Sequence, residues 1–591
     1  MGRLTTGDNM QTSKQGRLAV AGAAALVLLA ACGGGGGGGS TTSTTTPPPN
    51  TPSSPAGATA LACSDLIGMK VPASAIGMPT KGAEVTAAVV VPAAGSGANA
   101  LPEYCSVSAQ VAPMDVAAPF ILFKVALPTT WNTKVMMFGG GGFNGSIPDV
   151  TGNVPAGPAD QLKPLGRGYA TFASDSGHQA NAYGSQDASS FMNDEALANF
   201  EGDALKKTRD AAMYLVGKRY AATPTKAYFA GGSTGGREAL AAIQRWPADW
   251  DGAIAWFPAW NDLSALLTGQ KFNRTLSQPG AYPNQQKRLV LMQAALEACD
   301  GLDGVVDGLI GKQTQCNSIF DPSTATVGGQ PLRCAGGADT GNNCLSDVQI
   351  AALRSIAGGA RFNFSLASGE TGYPGYNVWG SDLGIPGTST AQLTVTYLAL
   401  GWLPPADPMP PANGPYLGQF LDQFIKYAVT RDPNFHSLTL DPENYGPWSN
   451  RFSDLSVRLD TSTDISAFKA RGGKLLLAHG MSDVLVPTQA TEWYWQRLQR
   501  QFGVSETAGF ARFYEVPGYG HAISTSFNAA WDSLTTLEQW VETGTAPANQ
   551  VVGDTIGVPG RTRPLCEYPL FPRYNGSGDV NAASSFTCAS S

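Results

Sequence analysis

Histidine is nearly missing from this chain. Its 591 residues include four, His178, His436, His479 and His521, so any imidazole chemistry must use one of these. Charge is also sparse, at 14% Asp, Glu, Lys and Arg, against the usual ~25%. The balance is acidic, −7 overall, with no basic run, which excludes nucleic acid as the main partner. No apolar run reaches the ~20 residues of a membrane-spanning helix. CxxC pairs are absent, which argues against a zinc cluster. Glycine and proline are plentiful, 71 and 41, and mark a loop-rich chain.

The front end reads as an address. Lys14 and Arg17 precede an apolar run of 14 residues, 18–31, the layout of a signal peptide. Leu29-Ala30-Ala31-Cys32 resembles a bacterial lipobox. Residues 1–31 are therefore expected to be removed and Cys32 acylated. That implies a secreted outer-membrane lipoprotein whose membrane contact is its lipid anchor. Residues 32–56 are Gly-, Ser-, Thr- and Pro-rich. They cannot bury enough apolar surface to order themselves and read as a tether.

The strongest chemical signal is Gly231-Gly232-Ser233-Thr234-Gly235. An apolar run at 227–230 predicts a strand before it, and residues 237–245 have helical composition. A Ser on a strand-to-helix turn is the setting of a nucleophile elbow. A free hydroxyl is a weak nucleophile and needs a base. Residues 512–516 predict a strand, and the turn after it delivers His521. Residues 474–478 predict another, followed by a loop that carries His479 and Asp483. Ser233, Asp483 and His521 thus follow the order nucleophile, acid, base, at the carboxyl ends of predicted strands. Asp483 would orient the imidazole and stabilise its cation, with His479 behind it. A strand at 134–138 runs into the glycine-rich segment 139–145. Backbone N–H groups of Gly140 and Gly141, with that of Thr234, are the expected oxyanion donors. No Lys-Ser/Thr closes the glycine run, so it is not a Walker loop.

Asp300, Asp303 and Asp307 are spaced along a Gly-rich turn, and with the carbonyls of Val305 and Leu309 they offer hard oxygens to Ca²⁺. An acidic surface turn is the alternative. From 258 to 466 strand–helix alternation breaks down, which suggests an inserted lid between a first core segment, 57–257, and a second, 467–591. Beyond Cys32 eight cysteines remain. An even number in an exported chain reads as four disulfides, with 105 possible pairings. Pairing neighbours in sequence gives Cys63–Cys105, Cys299–Cys316, Cys334–Cys344 and Cys566–Cys588.

Taken together, the Ser-Thr-Gly-Gly-Arg elbow, Asp175-Ser176-Gly177-His178, the His479-Gly-x-x-Asp483 loop and the Asp-rich turn resemble the tannase and feruloyl esterase family. The resemblance spans Cys63 to Cys588. It implies an α/β-hydrolase fold with a large lid, the Ser233–Asp483–His521 triad, a structural calcium ion in the lid and those four disulfides. It implies a carboxylesterase acting on small esters of feruloyl, galloyl or terephthaloyl-like acids. A broader esterase for aliphatic or polyester fragments and a non-catalytic binding lipoprotein are the rival readings. One departure stands out. The family usually joins a Cys before the nucleophile to a Cys after the histidine, whereas Gly232 and Ala522 stand here. The triad is therefore expected to be held by packing alone.

Overall fold

The computed structural model describes residues 59–444 and 446–590. The expected signal peptide, the expected tether up to residue 56 and Cys32 lie outside them. Ten strands form the main sheet: β1 (Lys70–Val71), β2 (Ala83–Val91), β3 (Tyr104–Val111), β4 (Ile121–Pro128), β5 (Lys134–Phe138), β6 (Ala170–Ser174), β7 (Lys226–Gly232), β8 (Gly252–Trp256), β9 (Lys474–Gly480) and β10 (Ala511–Val516). Their order is β1-β2-β3-β4-β6-β5-β7-β8-β9-β10. Pairing is antiparallel from β1 through β4 to β6 and parallel from β6 to β10.

The four strands foreseen from apolar runs all form, each at or slightly beyond the expected ends. Their continuous apolar character has a physical cause: parallel strands with both faces covered cannot alternate apolar with polar. Along β7, Ala227 and Phe229 join the core on one face of the sheet, while Tyr228 and Ala230 join the core on the other. The period of two separates them. Helix α1 (Thr234–Arg245) follows β7 directly and packs Ala239, Leu240 and Ile243 into the first core.

Between β8 and β9 no strand joins the main sheet. Residues 258–466 instead supply helices, among them α2 (Asp262–Leu276) and α3 (Thr390–Leu398). These build two further apolar clusters, one around Phe420 and Phe424 and one around Tyr376 and Trp379. The described residues nevertheless form one compact unit, so the insertion packs onto the sheet. All four disulfides pair as the resemblance implies. Each adds ~2–4 kcal/mol, mainly by restricting the unfolded chain. Among the described residues no helix is long and apolar enough to cross a membrane.

Candidate active site

Ser233 sits between β7 and α1 with φ 60° and ψ −126°. A non-glycine residue at that φ is strained, as a sharp elbow requires. The turn leaves no room beside it. A Cβ on Gly231 would lie 2.2 Å from the Gly235 carbonyl oxygen, and one on Gly235 would lie 2.7 Å from that of Gly140. Ser233 is half-buried. Its N–H donates to the Trp256 carbonyl at 3.1 Å, which ties the elbow to the end of β8.

Asp483 lies on the loop after β9 and His521 on the loop after β10. His521 Nδ1 is 2.7 Å from Asp483 Oδ2. The other carboxylate oxygen accepts the N–H groups of Leu485 and Val486, at 2.8 and 2.9 Å. His479 Nε2 approaches Asp483 at 3.3 Å and lies 2.9 Å from the Val486 carbonyl, while its Nδ1 is 2.8 Å from Thr491 Oγ1. Burial alone would raise the Asp483 pKa. The charge of His521, hydrogen bonds from both imidazoles and the charge of His479 override it and hold the carboxyl well below the ordinary range. His479 is thus packed against the carboxylate and helps to hold it ionised.

The elbow and the histidine loop flank one side chain. Phe257, just past β8, has its ring centroid 4.6 Å from that of His521. On its other side, a Cβ added to Gly232 would come within 2.6 Å of its Cε2 atom. The remaining two histidines are elsewhere. His178 is buried with neither ring nitrogen hydrogen-bonded to protein, and burial lowers it to about 4. His436 is half-exposed, 3.3 Å from Asp407.

The expected oxyanion donors need one correction. Gly140 N–H is already committed, donating to Glu238 Oε2 at 2.9 Å. Gly141 is exposed, and its N–H makes no hydrogen bond among the described residues. Thr234 is the first residue of α1, so its N–H has no partner within the helix. Its hydroxyl donates to the Gly142 carbonyl at 2.7 Å, which holds the glycine loop against the elbow. Sequence reasoning missed Glu238. Fully buried in α1, it also accepts from Asn144 Nδ2 at 2.7 Å and Ser176 Oγ at 3.3 Å. It thus braces the loop and accounts for Ser176 within the Asp175–His178 motif. The one available signal was an acid five residues beyond Ser233, on the buried helix leaving the elbow.

Asp300, Asp303 and Asp307 line the turn at the end of a helix in the insertion. Asp300 accepts the N–H groups of Asp307 and Gly308, Asp303 that of Val305, and Asp307 that of Leu309. Arg563 pairs with Asp307. Burial foremost, then repulsion from Asp307 and Asp300, pushes Asp303 up to about 7. Among the described residues no group of three or more His, Cys, Asp or Glu side chains is already gathered as a metal cage. The donor set nevertheless suits a hard cation in kind, since carboxylates that repel one another in a buried turn are what a divalent ion relieves. The same turn touches the histidine loop. A Cβ on Gly518 would lie 2.5 Å from Leu309 Cδ2, and Arg561 donates to the carbonyls of both Asp307 and Ser526.

One small recess adjoins the acid–base pair, between α3 and the histidine loop, lined by His521, Val395, Leu398, Val484 and Ile523. A second, largely apolar, lies within the insertion and includes Phe272, Tyr376 and Val484.

Residues 105–589 match the family model described as tannase and feruloyl esterase. An uncharacterized esterase of Agrobacterium fabrum is 38% identical over 91% of this chain and 94% of its own. Mono(2-hydroxyethyl) terephthalate hydrolase of Piscinibacter sakaiensis is 33% identical over 83% of this chain and 86% of its own. Among solved structures, feruloyl esterase B of Aspergillus oryzae superposes with a TM-score of 0.69 at 22% identity, over 86% of this chain and 97% of its own. This similarity confirms the expected fold. The family match and both relatives cover most of the chain, and the protein belongs to the tannase and feruloyl esterase family.

Proposed function

We propose that the protein is a serine carboxylesterase hydrolysing esters of aromatic acids through an acyl-enzyme. The observation that carries this is the buried His521–Asp483 hydrogen bond at 2.7 Å on loops neighbouring a strained Ser233 elbow. His521 Nε2 takes the Ser233 proton as Oγ attacks the ester carbonyl. The N–H groups of Thr234 and Gly141 receive the developing oxyanion. The imidazolium, steadied by Asp483, returns the proton to the departing alcohol. Water then enters by the same route and releases the acid. The insertion covers this side as a lid. The aromatic preference rests on the named activities of the relatives.

Active-site labelling tests the serine mechanism. A fluorophosphonate should label the wild-type protein and leave Ser233→Ala unlabelled. The ratio of kcat/KM for methyl ferulate to that for p-nitrophenyl butyrate reads the substrate class. A ratio well below one would move the assignment to a broad aliphatic esterase.

Two further parts of the proposal concern the periphery. A structural Ca²⁺ is held by Asp300, Asp303 and Asp307 with the carbonyls of Val305 and Leu309, where it supplies charge neutralisation. Bound at a hundred times its Kd it would add about 2.7 kcal/mol of stability. EGTA should therefore lower Tm, and Ca²⁺ should restore it. With Asp303 at about 7 before cation binding, protons compete, so calcium affinity should fall as pH drops below about 7. A Tm indifferent to chelation, together with no calcium in the purified protein, would remove the ion from the picture. The other part is the anchor. The four disulfides support an oxidising compartment, and Cys32 is the acylation site. Cys32→Ser should abolish incorporation of radiolabelled palmitate and shift the protein from the membrane to the soluble fraction. Unchanged labelling would place any acyl group elsewhere.

A further inference from the structure

Phe257 has an unusual backbone for an aromatic residue. Its φ is +34°, outside the regions a bulky side chain normally occupies. Its N–H still donates to the Ala478 carbonyl at 2.7 Å, so the backbone leaves β8 in register with β9 and then turns sharply. Strain of this kind persists only where the surroundings over-determine it, and it concentrates at functional sites. The turn drives the ring into the gap between the elbow and the histidine loop, where it is 3% exposed. It meets the imidazole of His521 at 4.6 Å between centroids and 48° between planes. Its Cε2 and Cζ atoms occupy the space that a side chain at Gly232 would need.

We propose that Phe257 is a positioning residue for His521. It acts as a spacer that sets the distance between nucleophile and base, and as an aromatic partner that favours the imidazolium. This rests on the serine-esterase reading above. Filling the gap explains why the residue before Ser233 is glycine. It also supplies the non-covalent contact on which a triad without a nearby cross-link depends. The aromatic character adds something an aliphatic filler would not. His521 becomes a cation when it takes the Ser233 proton, and a ring within ~6 Å stabilises a cation through its quadrupole. Asp483 does so from the Nδ1 side, so the imidazolium is held between a carboxylate and an aromatic ring.

Other groups around His521 must be kept constant in a test. Asp483 contacts it directly, and His479 acts through Asp483. Asp382 lines the same recess from the insertion, engaged with Gln392 and Thr525. Tyr519 lies on the histidine's own loop, 6.3 Å from the Phe257 ring. Altering only the electrons of that ring leaves all of these in place.

The experiment replaces Phe257 site-specifically by phenylalanines of increasing ring fluorination, alongside Phe257→Leu. It follows the fluorophosphonate labelling rate and ester kcat/KM against pH. Phe257→Leu should label about tenfold more slowly, with KM for esters changed less than twofold, and the acid limb of its profile should move down by about half to one pH unit. The fluorinated series keeps the ring's shape and should decline in steps, the most fluorinated approaching Phe257→Leu. If Phe257→Leu does not fold, the series still decides the matter. If wild type labels and the fluorinated proteins match it in rate and acid limb, the inference falls and the mechanism stands. If wild type itself does not label at Ser233, both fall together.

Discussion

Ser233→Ala should reduce kcat for ester hydrolysis by a factor on the order of 10⁵ to 10⁶ while leaving the fold and KM close to wild type. The hydroxyl is the only atom lost. Among the described residues Ser233 hydrogen-bonds through its backbone, from its N–H to the Trp256 carbonyl and from the N–H groups of Arg237 and Ala259 to its own carbonyl. Alanine retains all three, along with the φ of 60° at no greater steric cost. What remains is the pair of free N–H donors at Thr234 and Gly141 with no nucleophile to serve. Such donors plus binding sustain a residual ~10³–10⁴-fold rate over water, so the variant should show slow hydrolysis and no burst of alcohol release. Steady-state rates and unfolding curves measured side by side check this. Activity within a hundredfold of wild type would mean that another group attacks the ester.

Asp483→Asn carries the second largest effect, a loss of about 10⁴-fold in kcat. In the wild type the carboxylate accepts from the backbone at Leu485 and Val486 and from His521, with His479 close by. An amide offers one accepting oxygen. If that oxygen keeps the two backbone donors, the amide NH₂ faces His521 and turns the imidazole to the wrong tautomer. If it faces His521, two buried N–H groups meet a donor. A carboxyl held below its ordinary value contributes stability above the unfolded pKa of ~3.9, and this is lost only as pH falls through the lower, folded value. Asp483 is therefore ionised wherever activity is measurable, and the acid limb of the wild-type profile belongs to another group. Full pH–rate profiles of both proteins decide it. A profile for Asp483→Asn within tenfold of wild type would remove Asp483 from the mechanism.

The order Ser233, Asp483, His521 was readable because it rests on local signals. Apolar runs at 134–138, 227–230, 474–478 and 512–516 read as buried strands from their length and, in all but 474–478, their β-branched and aromatic content, and the polar residues just beyond them land on one rim of the sheet. With four histidines in the chain the base had few alternatives. Backbone donors were less legible. Gly140 and Gly141 look alike in sequence, and what separates them is the carboxylate of Glu238, brought in from a helix nearly a hundred positions away. Phe257 was invisible for a similar reason. Nothing in its neighbours announces a positive φ, which is imposed by β9 on one side and the elbow on the other. The aromatic-rich insertion could be recognised as an interruption, but its own packing depends on contacts among distant helices that no short pattern encodes.

The placement of the cross-links leaves the reaction centre exposed to one kind of damage. None of the four joins a loop that bears Ser233, Asp483 or His521, yet Cys299–Cys316 clasps the acidic turn on both sides, and Leu309 from that turn wedges under Gly518. Reductants that open this single bond would slacken the wedge, and the injury would travel to the base three residues on while the sheet beneath stayed whole.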